Sequence, residues 1–309
     1  MTIIQVIFPI FAIALIGYIT AYKNWLTPSD IDGVSRFVFT IAIPVLLFQS
    51  LIKIELPVRF NWQFLLSYYL VALIVYGLGI GASRQWFKQS LREQGAFGLG
   101  AAYSNTVLVG LPIISAGLGE AALLPLFMLI SIHSGVLFLI FLLLMERGNG
   151  AGHSSRQIAA QTLKNLIRNP IVIGLALGLA FNLLNIPLPP LVDDTFNILG
   201  KATLPCALFV LGASLNSYRI AGHFAEAWTI VGLKLVLQPL LVWVLAFVVF
   251  HLDPLWGAVA VMTAGMPVGI NSYILAQQYQ VGMASLSTAI LLSTLLAVIT
   301  QSMLLAIFI

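Results

Sequence analysis

The chain is written in long apolar runs with short polar punctuation between them. Taking charged and turn residues as boundaries divides it into ten apolar segments, roughly 3–22, 37–52, 62–83, 95–118, 121–145, 170–186, 194–217, 225–250, 255–278 and 282–308. A membrane-spanning helix needs about 20 apolar residues, so each segment predicts one span. The C-terminal end is the clearest case. Residues 254–309 contain no Asp, Glu, Lys, Arg or His, which is too long for one span and predicts two helices joined by a tight turn at 279–282. The predicted fold class is an all-α polytopic membrane protein of ten helices.

Composition supports this reading. Of 309 residues, 60% are hydrophobic and 8% charged, with a mean hydropathy of +1.04. A soluble domain carries about 25% charged residues. No soluble core could hide this much apolar surface, so the lipid bilayer is the expected surrounding. The opening "MTIIQVIFPIFAIALIGYIT" has no basic lead-in and is read as a first span rather than a cleaved signal. One cysteine, Cys206, lies in an apolar run and is expected to be a small core residue. There is no Cys/His cluster, no cofactor motif and no basic polar face for nucleic acid, so no cofactor or metal is expected.

Charge sets the orientation through the excess of Lys and Arg on cytoplasmic loops. One side of the alternating spans receives Lys23, Arg36, Arg84, Lys88, Arg92, Arg147, Arg156, Lys164, Arg168 and Arg219; the other receives Lys53 and Arg59. Both termini are therefore expected outside, with a cytoplasmic linker at 146–169 in the inner membrane of the cell.

An internal repeat appears at an offset of 161 residues. Pro9 meets Pro170, Gly17 meets Gly178, Asn24 meets Asn185, Pro28 meets Pro189, Asp32 meets Asp193, Pro44 meets Pro205 and Phe48 meets Phe209. The halves are 1–145 and 170–309. Each holds five spans, an odd number, so the second half is predicted to enter the membrane upside down. Inverted repeats are common among secondary transporters.

On this offset, span four falls on span nine, and both are interrupted. Span four reads "SNTVLVGLP" from Ser104 to Pro112; span nine reads "AGMPVGINSYILAQQY" from Ala264 to Tyr279. Pro removes a backbone donor, Gly loosens the chain, and the freed polar groups cannot face hydrocarbon. Two such breaks crossing near the bilayer midplane would aim two helix N-termini at one point, which suits an anion. The candidate binding set is Asn105, Thr106, Gly110, Thr263, Pro267, Asn271 and Ser272. Pro44, Pro112 and Pro205 are candidate helix breakers, with Pro112 at the outer limit of its break.

The paired motifs resemble the two crossover segments of the auxin efflux carrier family, within the bile acid/auxin/Na⁺-H⁺ antiporter-like transporters. The "MP" followed by small residues and "LAQQY" carries most of the likeness, which extends over the whole chain. The resemblance implies a scaffold from spans 1, 2, 6 and 7 that dimerises. It also implies a mobile domain from spans 3–5 and 8–10, and elevator-type movement of small organic anions such as malonate or malate.

Four other residues are weighed beside the breaks. Lys234 lies about ten residues into span eight with Gln238 one turn on, where it either snorkels or stands as a fixed cation under the crossover. A third reading, drawn from the resemblance, puts Lys234 where sodium-coupled relatives hold an ion, which would disfavour Na⁺ coupling. Lys201 in span seven has Asp194 two turns earlier and is read as Asp-paired or snorkelling, otherwise as an anion collector. His133 is either a hydrogen-bonded core histidine or a proton-coupling group. Glu120 is expected at an interfacial turn, and Asp193–Asp194 is a lone acidic pair without the second acidic motif that a metal-dependent enzyme needs. No nucleophile–base pair or paired carboxylates occur in the spans, so the chain is not expected to be an enzyme. A sodium-coupled bile-acid-type symporter and a non-transporting ligand sensor are the alternatives to an organic-anion transporter.

Overall fold

The computed structural model describes residues 3–56, 61–149, 154–218 and 222–309; among them the chain is helical apart from turns and one isolated antiparallel bridge. In chain order the helices are α1 (Ile3–Tyr22), α2 (Pro28–Lys53), α3 (Trp62–Trp86), α4 (Leu91–Ala102), α5 (Thr106–Leu118), α6 (Glu120–Gly148) and α7 (Ser155–Ile167). They continue as α8 (Pro170–Leu183), α9 (Pro190–Leu215), α10 (Phe224–Val249), α11 (Pro254–Ala264), α12 (Ile270–Gln278) and α13 (Met283–Phe308). Seven of these are long and apolar enough to cross a bilayer, and α7 with α8, bent by 64° at their junction, makes up to eight. Predicted spans four and nine are each two short helices, α4 with α5 and α11 with α12. By helix length neither counts as a span, because each is cut at its centre.

The region expected as a polar linker, 146–169, is largely helical. Helix α6 runs on to Gly148, and α7 begins at a capping box in which Ser154 and Gln157 exchange side-chain and backbone hydrogen bonds. Its Gly and Ser content concealed a helix start. Residues 150–153 of the linker, and Arg59 and Arg219 of the charge count, lie outside the described residues.

Three prolines inside helices share one device. Pro44, Pro112 and Pro239 each follow by two residues a wide π-helical segment: Val38–Ala42, Thr106–Gly110 and Leu233–Leu237. A proline ring clashes with the carbonyl four residues earlier and offers no N–H. A wider turn lets that carbonyl move aside while the helix continues. Pro205 lies inside α9 without such a segment.

Close backbone contacts join α1 to α9 and α2 to α8, and they come in exchanged pairs. A Cβ on Gly17 would fall 2.1 Å from the Phe209 carbonyl oxygen, and one on Gly178 would fall 2.8 Å from that of Phe48. Thr203 donates to the Ala42 carbonyl at 3.1 Å, a partner 161 residues away. Asn24 and Asn185 both end helical segments with left-handed backbones, at φ 54° and 50°. Along the α3, α4, α6, α10, α11 and α13 group the core is continuous, with Tyr68, Tyr76, Phe97 and Phe127 fully buried.

Candidate functional site

Helix α4 stops at Ala102 and α11 at Ala264; the chain then runs extended through Tyr103–Ser104 in the first break and, after a turn at Gly265–Met266, through Pro267–Gly269 in the second. The two extended pieces lie antiparallel, joined by the Ser104–Val268 bridge. Asn105 N–H donates to the Pro267 carbonyl and Gly269 N–H donates to that of Tyr103, both at 2.9 Å. Two more donors freed by the breaks find side chains: Ser104 N–H reaches His133 Nε2 at 3.0 Å, and Val268 N–H reaches Ser293 Oγ at 3.1 Å. Buried backbone groups need partners, and here each break supplies them to the other.

The fit is close enough to explain Gly269. A Cβ there would fall 2.4 Å from the Tyr103 ring. That ring stacks on His133 with centroids 4.6 Å apart. Its hydroxyl meets Ser134 Oγ at 2.9 Å and accepts from Asn271 Nδ2 at 3.3 Å. Tyr103 thus ties the first break to the helix that follows the second.

A cavity of about 320 Å³ opens beside this junction, with Asn105, Thr106 and Asn271 in its wall together with Tyr103, Ser134 and Asn169. The Asn105 side chain is 6% exposed, and its Nδ2 has no hydrogen-bond partner. Ser134, Leu166 and Asn169 also line a second cavity against α7, and Phe39, Ile270 and Asn271 also line a third that contains Asp32. No Lys, Arg or His is among the residues lining these three cavities.

The other expected site residues stand behind the cavity. Pro267 gives its carbonyl to Asn105, Ser272 donates to the Gly269 carbonyl, and Gly110 packs near Met266. Thr263 is fully buried, with a hydroxyl that has no partner. Lys234 is fully buried; its Nζ donates to the Ala264 carbonyl and, at 2.9 Å, to Gln238 Oε1. Gln238 Nε2 donates in turn to the Ala102 carbonyl at 3.3 Å. The pair therefore ties together the C-terminal ends of α4 and α11, and Lys234 does not snorkel. His133 is a buried, hydrogen-bonded histidine whose Nε2 accepts a backbone N–H, so Nδ1 carries the proton when the ring is neutral.

Lys201 is exposed on α9, does not line the cavity and is not paired with Asp194. The acid that is paired in this region is Asp193, which meets Lys53 at 2.9 Å and Gln49 at 2.7 Å. Asp193 wins because α9 packs against α2, which brings those two side chains to it. Tyr103, Ser134 and Asn169 were not among the residues singled out as ligands. Nothing in the sequence marked Tyr103, an aromatic within an apolar run, and Asn169 lay in the expected linker.

These features define a polytopic helical membrane protein with a polar cavity at two interlocked helix breaks. A family model described as "Membrane transport protein" matches residues 2–305, so the chain belongs to that family, the auxin efflux carriers. It is similar to a "Putative malonate transporter" of Rhizobium meliloti (strain 1021), 25% identical over 95% of this chain and 92% of that one. It is also similar to "Auxin efflux carrier component 8" of Arabidopsis thaliana, 24% identical over 94% and 93% of the two chains. A third relative, "Uncharacterized transporter YfdV" of Escherichia coli (strain K12), is 24% identical over 92% and 91%. The chain is a membrane transporter and not an enzyme.

Proposed function

We propose that the chain is a secondary transporter of small organic anions, carboxylates above all, that binds its substrate where the two breaks meet. The observation that carries this reading is the shared cavity: Asn105 and Asn271, one from each break, line it, and the Asn105 amide has no protein partner. The N-terminal ends of α5 and α12 begin at the same wall. Backbone N–H groups at helix starts have no intrahelical acceptor, and they favour negative charge. The name of the Rhizobium relative supports a carboxylate.

Around this site we read ten spans as two inverted five-helix halves, 1–145 and 170–309. The exchanged contacts at Gly17 and Gly178, and the matched Asn24 and Asn185, support a twofold relation between the halves. Helices α1, α2, α8 and α9 are the scaffold and the surface through which two copies pair. Helices α3–α6 and α10–α13 carry the crossing breaks past it in an elevator movement. Lys234 and Gln238 brace the crossing so that it travels as one body. Both termini lie outside the cytoplasmic membrane, and the three joined cavities then face the cytoplasm.

The test is flux. Purified protein in proteoliposomes is expected to take up radiolabelled carboxylate down a gradient, with uptake unchanged when Na⁺ is removed. Binding without flux under any gradient would sink the transport reading, and a strict Na⁺ requirement would replace it by a sodium symporter.

A further inference from the structure

We infer that α7 is an interfacial helix that lies on the cytoplasmic face of the bilayer and takes anionic phospholipid headgroups as its partner. The ten-span reading above puts α7 on that face; what the helix rests on is a separate matter.

The sequence of α7, "SRQIAAQTLKNLI", divides into three stripes at about 100° per residue. Ile158, Thr162 and Leu166 recur every four residues and are half-buried. They form the inner stripe, which packs on α6: a Cβ on Gly135 would lie 3.0 Å from the end of the Leu166 side chain. Ala159, Leu163 and Ile167 form the next stripe, and it has no cover; Leu163 is 56% exposed and Ile167 61%. Lys164 and Arg168 follow on the far side of that apolar stripe, and Arg156 stands at its N-terminal end. A helix with an uncovered apolar face bordered by Lys and Arg suits the boundary between headgroups and acyl chains. Its direction agrees. Helix α7 is bent by 64° from α8, so where α8 crosses the bilayer, α7 turns toward the membrane plane.

Charge selects the lipid. Helix α7 with its capping residue Arg168 carries three cations and no acid. All three are exposed, and no ion pair among the described residues uses them. Anionic headgroups of the cytoplasmic leaflet attract such cations, whereas a zwitterionic headgroup has no net charge to offer. A second copy seated on the same stripe would bring three cations against three. The seat also bears on the cavities. Thr162 and Leu166 line the second cavity, and Leu166 and Asn169 line the main one. Helix α7 thus forms one edge of their mouth while packing on α6 and leading into α8. Held to the leaflet, it would keep that edge in place as α6 moves.

Two measurements on the full chain test this. Neither needs a carboxylate to bind, so the inference and the transport reading fail separately. In a Cys206→Ser protein, Leu163→Cys and Lys164→Cys are each spin-labelled and reconstituted into vesicles of phosphatidylcholine and phosphatidylglycerol. The Leu163 label is expected to collide mainly with oxygen, which concentrates in hydrocarbon. The Lys164 label is expected to collide several times more often with a neutral nickel chelate, which stays in water. A chelate that reaches both labels alike puts the helix in water and overturns the inference. A Leu163 label that neither agent reaches puts protein on the stripe and overturns it too. For the headgroups, a ligand of the folded state raises its stability, so phosphatidylglycerol should raise the thermal midpoint of the detergent-solubilised protein more than phosphatidylcholine does. Arg156→Gln, Lys164→Gln and Arg168→Gln together should remove most of that difference. A full phosphatidylglycerol response in the triple variant would overturn the assignment of the headgroups to α7.

Discussion

Asn105 is held through its backbone and free at its side chain. Its N–H is spent on Pro267, its carbonyl accepts from Gly110, and its amide nitrogen is buried beside the cavity that the residue lines, with no protein partner. Asn271 lines the same cavity and donates to Tyr103. Hydrogen bonds to a charged ligand are worth about 1.5–3 kcal/mol. Asn105→Ala and Asn271→Ala should therefore each weaken carboxylate binding by about tenfold to a hundredfold, while the protein still inserts and elutes as a folded species. Unchanged affinity in both variants, measured by titration, would refute the site. Lys234 makes a different prediction. Its removal strands the Ala264 carbonyl and Gln238 Oε1 in a buried place, at about 1–3 kcal/mol for each unsatisfied group. Lys234→Ala should lower both the thermal midpoint and transport, whereas Lys201→Ala, at an exposed position, should change neither; equal effects would overturn that ranking. The two asparagines were legible because Asn beside Pro and Gly is a conspicuous fault in an apolar run. Tyr103 was not, since an aromatic in a membrane helix signals nothing until its hydroxyl is seen to meet Ser134 and Asn271.

Among the elements, hydropathy located most of the long helices to within a few residues, because a bilayer requires an unbroken apolar stretch; α2 is the exception, expected from 37 and beginning at Pro28 in a polar, capped first turn. Hydropathy gave 62–83 for α3, which runs from Trp62 to Trp86, and 282–308 for α13, which runs from Met283 to Phe308. It did not reveal α7, whose exposed Leu163 and Ile167 alternate with polar residues and whose start is set by a local capping box. Nor did it separate prolines that break a helix from those that a wide turn absorbs. Pro112 sits in the second category, seven residues beyond Asn105 and within the helix that follows the break. Small residues in α1, α8 and α9 form packing faces, and the contact distances make this quantitative. A Cβ on Gly212 would lie 1.7 Å from the Ala14 carbonyl oxygen, closer than any side chain can be placed without moving a helix. Gly212→Ala should lower stability by about 1–3 kcal/mol, read as a drop in the thermal midpoint. Gly77→Ala, where the added methyl meets nothing within 4 Å, should hold or raise it, as the removal of a helical glycine does. If Gly212→Ala melts with the wild type, the α1–α9 contact is not the one described.

For the whole molecule, the decisive matter is relative movement between two groups of helices that share one cavity. Phe39 on α2 and Ile274 on α12 line both the main cavity and the one that holds Asp32. They lie on opposite sides of the proposed sliding surface, one on the scaffold and one on the part that travels. A covalent tie between them permits rotation of side chains but not translation of α12 past α2. The chain offers a clean background, since Cys206 is its one cysteine. In a Cys206→Ser protein carrying Phe39→Cys and Ile274→Cys, a short bifunctional thiol reagent should halt carboxylate flux. A reductant-cleavable version should allow it to resume, each compared with the single-cysteine proteins treated alike. A mechanism that opens and closes small gates around a stationary site makes the opposite prediction for equilibrium binding, because a tie across the mouth would exclude the ligand. An elevator arrested with the cavity open keeps its binding and loses only flux. Titrating the cross-linked protein with the same carboxylate therefore separates the two: retained affinity with lost transport supports translation of the crossing breaks as one body, and loss of both points to a gate.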